Sequence, residues 1–310
     1  MIHVLCLNPA IDKVFEIDGF TAGEDYPGRR AHSAAGGKGV NVARVLTQLY
    51  APATLYAFMG RDGDMLVRRE MQERCPCNFI PVAGACRTTI NIIDRENARE
   101  TVITEGGPEV SEEDVGVLMR ALEAGVRPGD IVCCSGSLPM GAPKDLYAQV
   151  SRLCREKGVR CVLDCNAATL PASLDGAHYA LGKPNERELA AYLGCGRTND
   201  AREVAKMARR LMPPYDALLV SMGAAGGVLV TKEGAWRASL PQREIVSTVG
   251  SGDSSVAGAL FAMQEGAEAP ETLRRAMACG LACAMGGQVG SISAWDYRQN
   301  YREIEIEPID

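Results

Sequence analysis

The chain has 310 residues, 46% of them hydrophobic and 23% charged, with a net charge of -6 at neutral pH. That length holds one large α/β domain or two ordinary ones, with ample core in either case. The acidic balance, and the lack of any Lys/Arg cluster interleaved with aromatics, excludes a nucleic-acid footprint and leaves a small molecule as the expected partner.

In chain order, residues 3–7 read as a short apolar strand closed by Asn8-Pro9, with Asp12 at the following turn and a strand pattern resuming at Val14, Phe15 and Ile17. A hydrophobic first strand is usually central in a parallel sheet, and a carboxylate just past its carboxyl end lies where open α/β sheets bind ligands. Asp is equally at home in a plain turn. Residues 19–37, rich in Gly, Pro, Arg and Ser, lead into Gly36-Gly37-Lys38-Gly39, after which Val42, Val45, Leu46 and Leu49 recur at helical spacing. Glycines at a helix start allow close approach of a ligand to backbone, which places Lys38 and Asn41 to bind oxygens; the competing reading is a flexible turn with a solvated lysine. A strand over 54–58 and a charged helix over 64–75 follow. Residues 88–93 and 100–104 alternate like a hairpin around the polar turn 95–98, and with residues 13–34 they are expected to form a small antiparallel β lid inserted into the α/β body. From 111 onward helices (111–124, 143–157, 186–193, 200–212) alternate with strands (131–134, 161–164, 179–181, 218–221, 228–231), which predicts a mostly parallel sheet covered on both faces. The expected division is a core of residues 1–12, 35–86 and 105–310 and a lid of 13–34 and 87–104.

The twelve cysteines are scattered, and pairs such as Cys75/Cys77 and Cys161/Cys165 have no second Cys or His pair to complete a zinc site, so reduced, buried thiols are expected. No cationic segment precedes an apolar run at the start, which predicts a cytoplasmic protein. The charge-free run 276–295 is broken by glycines and serines and reads as a buried helix and loop, not a membrane span.

A second glycine-to-helix junction spans residues 247–258. Small residues at Gly250, Ser251 and Gly252 expose backbone N–H groups to a ligand at the positive end of a helix, a geometry suited to phosphate. Asp253 at the same spot stands where a general base for phosphoryl transfer belongs, although Asp and Ser ahead of a helix also serve as simple N-caps. Gly37-Lys38 is followed by Gly39, and Gly182-Lys183 by Pro184, so neither fits a P-loop. The third glycine of a dinucleotide fingerprint is replaced by Ser255, which leaves hydride transfer as a weak runner-up. Two junctions far apart in sequence, each beside an ionisable or amide side chain, fit a kinase plan with one cradle for nucleotide phosphates, another for the acceptor and a base between them.

Five blocks together resemble the ribokinase-like, or PfkB-type, carbohydrate kinases: Leu7-Asn8-Pro9-Ala10-Ile11-Asp12; residues 35–43; Ser135-Gly136-Ser137-Leu138-Pro139; Lys183-Pro184-Asn185-Glu186-Arg187-Glu188; and 247–258. The resemblance covers nearly the whole chain and is nearest 1-phosphofructokinase and tagatose-6-phosphate kinase. It implies a three-layer α/β sandwich with a β-sheet lid and an ATP- and Mg2+-dependent transfer to a ketohexose phosphate. Fructose 1-phosphate comes first, with tagatose 6-phosphate or fructose 6-phosphate as alternatives and a catalytically silent sugar-phosphate sensor as the reading from another class. Asp253 would be the base and Gly250, Ser251 and Gly252 the anion hole. Asp12, Gly37, Lys38 and Asn41 would hold the sugar, and Arg87 and Ser137 its phosphate. Asn185 and Glu188 would serve Mg2+ and the nucleotide phosphates. Lys183, Ser221, Gly223, Gly226 and Thr248 would line the nucleotide side, with adenine near residues 278–285. Three stretches depart from the pattern: 23–27, where the usual lid arginine is missing and Arg29 or Arg30 is the expected substitute; 104–108; and 164–167. The open edges of such a lid predict a homodimer formed through it.

Overall fold

The computed structural model describes residues 1–27, 31–60, 65–97 and 99–309. The first third of the chain forms β1 (Ile2–Leu5), β2 (Ala10–Glu16), β3 (Ala31–Gly36), α1 (Lys38–Gln48), β4 (Ala53–Gly60), α2 (Met65–Gln72), β5 (Cys77–Val82), β6 (Arg87–Asp94) and β7 (Arg99–Thr104). Next come α3 (Glu112–Gly125), β8 (Ile131–Ser135), α4 (Leu146–Glu156), β9 (Arg160–Asp164), α5 (Leu170–Ser173), β10 (Leu181–Gly182), α6 (Glu186–Leu193) and α7 (Ala201–Leu211). The chain closes with β11 (Ala217–Ser221), β12 (Gly227–Thr231), β13 (Ala235–Ser239), α8 (Ser251–Gln264), α9 (Ala269–Met285), α10 (Ala294–Glu303) and β14 (Glu305–Ile309).

Among the described residues these strands make a ten-stranded sheet, ordered β14-β13-β12-β11-β10-β9-β8-β1-β4-β5, and a four-stranded one, ordered β3-β2-β6-β7. From β5 to β11 the large sheet is parallel; β12, β13 and β14 extend one edge antiparallel. The first strand is therefore interior, as its unbroken hydrophobicity predicts. Strand alternation sorts side chains to two cores. Leu55, Ala57 and Met59 of β4 pack with α1, α8 and α9, while Tyr56 and Phe58 pack with α3 and α4 on the other face. The result is a three-layer sandwich. Each fully buried Leu or Phe contributes about 1.5–3 kcal/mol by its removal from water, so both faces of the sheet are held by their helices.

The amino end of β1 is closed by a polar knot: His3 lies 3.2 Å from Asp130 and accepts from or donates to the Tyr56 hydroxyl at 3.3 Å, and burial lowers its pKa. The carboxyl end is left for ligands.

The small sheet joins two antiparallel pairs, β2–β3 and β6–β7, through parallel pairing of β2 with β6. Its strands reach back to Ala10 and on to Gly36, so Asp12 lies inside β2, opposite Ala34 and Thr89, and not at a turn. The strand begins directly after Pro9 because β3 and β6 pair with it on both sides from Ala10 onward. The helix expected from 64 begins, within the described residues, at Met65; Arg29, Arg30, Asp64 and Ala98 lie outside them. Three strands went unforeseen: β5, β13 and β14. Proline at Pro81 and Pro308 lowers strand expectation, yet β5 and β14 are the two edges of the sheet, where a missing N–H is tolerated. Ten of the twelve cysteines are buried. No helix among the described residues is long and apolar enough to cross a membrane.

Candidate active site

The carboxyl ends of β1, β8, β9, β10 and β11 converge on the amino ends of α1, α6 and α8. At α8 the N-cap is Gly250, with φ +79°, and a Cβ there would stand 2.5 Å from the Gly290 nitrogen. Only glycine meets both demands. Among the described residues the N–H groups of Gly252 and Asp253 find no acceptor, since the helical ladder begins with Ser254 N donating to the Gly250 carbonyl at 2.9 Å. Unpaired donors at a helix start are an anion cradle.

Asp253, 7% exposed, accepts a hydrogen bond from Asn41 Nδ2 at 2.8 Å. Burial pushes its carboxyl up to about 6; Lys38 opposes this, Asp164 adds to it, and Asn41 and Lys183 oppose it. A carboxylate held near neutrality, ionised yet still basic, is what proton removal from an alcohol requires. Lys38, at the first position of α1, lies 3.3 Å from Asp164, whose charge, before any other cause, raises the lysine's pKa. With 34% of the Lys38 side chain exposed, water screens that pair, and its role is placement more than stability. Lys183 reaches the same carboxylate at 3.7 Å from a fully buried setting. Asp164 was not foreseen as a site residue. An Asp ending the apolar run of β9 was the available signal, but its meaning depends on two lysines brought from α1 and from just past β10.

Two cavities meet here. One, of about 520 Å3, is lined by Lys183, Asn185, Ser221, Gly223, Gly226 and Thr248, together with Ser251, Gly252 and, from α9, Gly280, Leu281 and Ala284. The expected nucleotide residues are thus brought together, and the stretch proposed for adenine forms one wall. Close packing of α9 on α8 makes that wall, because a Cβ on Gly280 would stand 2.3 Å from Ser255 Oγ. A second recess, of about 200 Å3, is lined by Arg87, Ser137, Asn8, Ser135 and Asn166. Lys38 borders both. Buried side-chain atoms without a hydrogen-bond partner number five among the described residues, and four belong to residues lining these two spaces: Asn8 Oδ1, Arg87 Nε, Ser135 Oγ and Ser251 Oγ. Native proteins rarely leave such atoms orphaned, so a ligand with many oxygens is their natural complement.

Other residues are placed differently from the simplest expectation. Asp12 opens on a third space of about 460 Å3, beside Arg44, and burial raises its pKa. It stays close to the glycine junction, since a Cβ on Gly36 would stand 2.2 Å from its carboxylate. Gly37, φ +102°, turns the chain from β3 into α1. Asn185 and Glu188 form a capping box on α6: Asn185 Oδ1 accepts from the Arg187 and Glu188 N–H groups, and Glu188 Oε2 accepts from Asn185 N at 2.9 Å. Among the described residues no group of three or more His, Cys, Asp or Glu is arranged to hold a metal.

The fold is ribokinase-like, and an anion cradle with a buried carboxylate beside it, between a nucleotide-sized cavity and a smaller polar one, defines a phosphotransferase. A family model described as pfkB family carbohydrate kinase matches residues 5–295. The chain belongs to that family; it is a sugar kinase and, as such, a user of ATP. Similar solved structures include phosphofructokinase-2 from Escherichia coli in its tetrameric inhibited form, 25% identical over 97% of this chain and 98% of that one, with a TM-score of 0.88. A Thermotoga maritima protein described as a possible 1-phosphofructokinase is 26% identical over the full length of both chains, at TM-score 0.86. A phosphofructokinase candidate from Staphylococcus aureus is 28% identical over 100% and 99%, at TM-score 0.82.

Proposed function

We propose that the protein transfers the γ-phosphoryl group of ATP to a hydroxyl of a ketohexose phosphate, with fructose 1-phosphate first and fructose 6-phosphate or tagatose 6-phosphate as alternatives. The observation that carries this reading is that one ammonium, Lys38, borders both cavities while the buried Asp253 stands beside it. ATP takes the larger cavity. The acceptor's own phosphate takes the smaller one, where the Arg87 guanidinium pairs with its oxygens and Ser137 and Ser135 supply hydroxyls. Asp253 removes the proton from the attacking hydroxyl. Gly250, Gly252 and Asp253 present N–H groups to the transferring phosphoryl group, the Ser251 N–H being taken by the Thr248 carbonyl at 3.2 Å, and Lys38 balances the charge that spreads over its oxygens. Asp12, Gly37 and Asn41 shape the sugar side.

Mg2+, when bound, neutralises phosphate charge. The amino end of α6 suits it: Glu188 and Asn185 are hard oxygen ligands of the kind Mg2+ uses together with its own waters and phosphate oxygens. Since Asn185 Oδ1 already accepts two N–H groups, these residues would hold the ion mainly through its water shell. Fructose 1-phosphate is placed first by the blocks at 7–12 and 36–39. The Escherichia coli relative, solved with fructose 6-phosphate, keeps that sugar as the alternative. A homodimer through the small sheet is part of the proposal: β7 is an edge strand, and Val102 and Ile103 on it are 54% and 55% exposed.

An assay of ADP release with a panel of fructose 1-phosphate, fructose 6-phosphate, tagatose 6-phosphate and unphosphorylated sugars tests this. Turnover with a ketohexose phosphate at least about 100-fold above free sugars is expected, because loss of a desolvated phosphate contact is costly. Preference for a free sugar would overturn the role of the small recess. No turnover, with stabilisation by a sugar phosphate, would point to the silent sensor.

A further inference from the structure

One buried arginine makes contacts that the scheme above does not use. Arg44 lies three residues after Asn41 on the same face of α1, and its side chain is 5% exposed. Its Nε donates to Glu70 Oε1 at 3.0 Å. Nη1 donates to Asn41 Oδ1 at 2.9 Å and to the Val289 carbonyl at 3.1 Å, and Nη2 donates to the Ala35 carbonyl. Each acceptor belongs to a different segment around the site. Ala35 stands at the root of the small sheet, just before Gly36 and Gly37, and Glu70 grips the same residue by accepting its N–H at 2.8 Å. Val289 precedes Gly290, which backs both the Gly250 N-cap and Asn41; a Cβ on Gly290 would stand 2.5 Å from Asn41 Cβ.

The chemical consequence falls on Asn41. A guanidinium only donates, so Asn41 must turn Oδ1 to Arg44, and what remains to face Asp253 is Nδ2. That is the 2.8 Å contact observed. Were the amide reversed, Oδ1 would meet a carboxylate oxygen, and the pair would close only with a proton on Asp253, the form that cannot act as a base. We propose that Arg44, held by Glu70, is a positioning residue: it dictates the orientation of the Asn41 amide and so keeps Asp253 charged and correctly aimed. This rests on the role of Asp253 proposed above.

A double-mutant cycle of Arg44→Met with Asp253→Asn tests it, using steady-state kcat and KM with ATP and the best sugar phosphate, and thermal unfolding as the control for folding. Arg44→Met should lower kcat about 10- to 100-fold, the scale of a misplaced catalytic group, with KM for ATP within about twofold. In the Asp253→Asn background the same change should cost less than about twofold in kcat, since the group it serves is gone. Equal loss in both backgrounds, or no loss in a folded Arg44→Met protein, overturns the proposal. Should Arg44→Met not fold, Glu70→Gln enters the same cycle under the same criterion. Should the wild type turn over no sugar phosphate, the substrate reading fails separately, and the relay is read without turnover from the side-chain amide 15N–1H resonances of Asn41. Those must shift in Glu70→Gln and in Asp253→Asn; resonances unmoved by Glu70→Gln overturn it.

Discussion

Asp253→Asn separates chemistry from shape. The variant amide can still accept from Asn41 Nδ2 through its own oxygen, as the carboxylate does at 2.8 Å. Its NH2 group then occupies the place of the free carboxylate oxygen and offers a donor where the attacking hydroxyl needs an acceptor. Turnover should fall by about 100-fold or more, the usual scale for a lost general base, while ATP affinity changes little because the larger cavity is not altered. The same burial makes a second, independent prediction. The carboxyl is raised from 3.8 to about 6, so the folded protein binds this proton more tightly than the unfolded chain does. Above pH 6 the folded state carries the full cost of the buried charge; the cost shrinks as pH falls through 6 and is gone below about 3.8. At about 1.4 kcal/mol per unit that cost is at most about 3 kcal/mol. Asp253→Asn should therefore be more stable than wild type at pH 8, with the difference closing near pH 4. Coupled ADP assays across pH should show an acid limb near 6 in wild-type kcat/KM that is absent from the variant's residual rate. Denaturant titrations at pH 8 and pH 5 read the stability. Turnover within about tenfold of wild type, or a variant no more stable at pH 8, would refute the reasoning.

Arg87→Ala should raise KM for the sugar phosphate by at least about tenfold, in keeping with a charge-assisted contact, with KM for ATP unchanged; a rise in KM for ATP instead would remove Arg87 from the smaller recess. Gly250→Ala puts a side chain at φ +79° and 2.5 Å from Gly290 N. It should cost about 1–2 kcal/mol from backbone conformation alone and lower kcat, read by denaturant midpoint and ADP release; an unchanged midpoint would show that the cradle is not strained. The parent should be a dimer by light scattering at micromolar concentration, and Val102→Asp, which places a charge on the exposed edge strand β7, should give a monomer; a monomeric parent would end the dimer proposal.

Much of the architecture is legible from contiguous residues. The short apolar runs of β4, β8 and β12 and the Asn-x-x-Glu capping signal of α6 are local, and the helix expected over 186–193 is the helix found. Edge strands are not legible in this way. In β14, Glu305 and Glu307 face solvent and the strand exists because β13 pairs with it, far back in the chain. Asp12 lies in a strand and not at the expected turn for a related reason: whether a residue after Asn8-Pro9 turns or continues depends on a second sheet waiting to receive it.

The site divides along the same line. The two glycine junctions, at 36–39 and 250–252, were determined by the sequence itself, because a positive φ and room for backbone approach are properties of the residues that occur there. Tertiary structure alone decided what faces them. Asn41 meets Asp253 from 212 positions away, Asp164 collects Lys38 and Lys183, and Arg44 gathers four segments. Orientation of an amide, basicity of a carboxylate and pairing of a buried charge are set by the surroundings that burial brings, and no short stretch of chain contains its own surroundings.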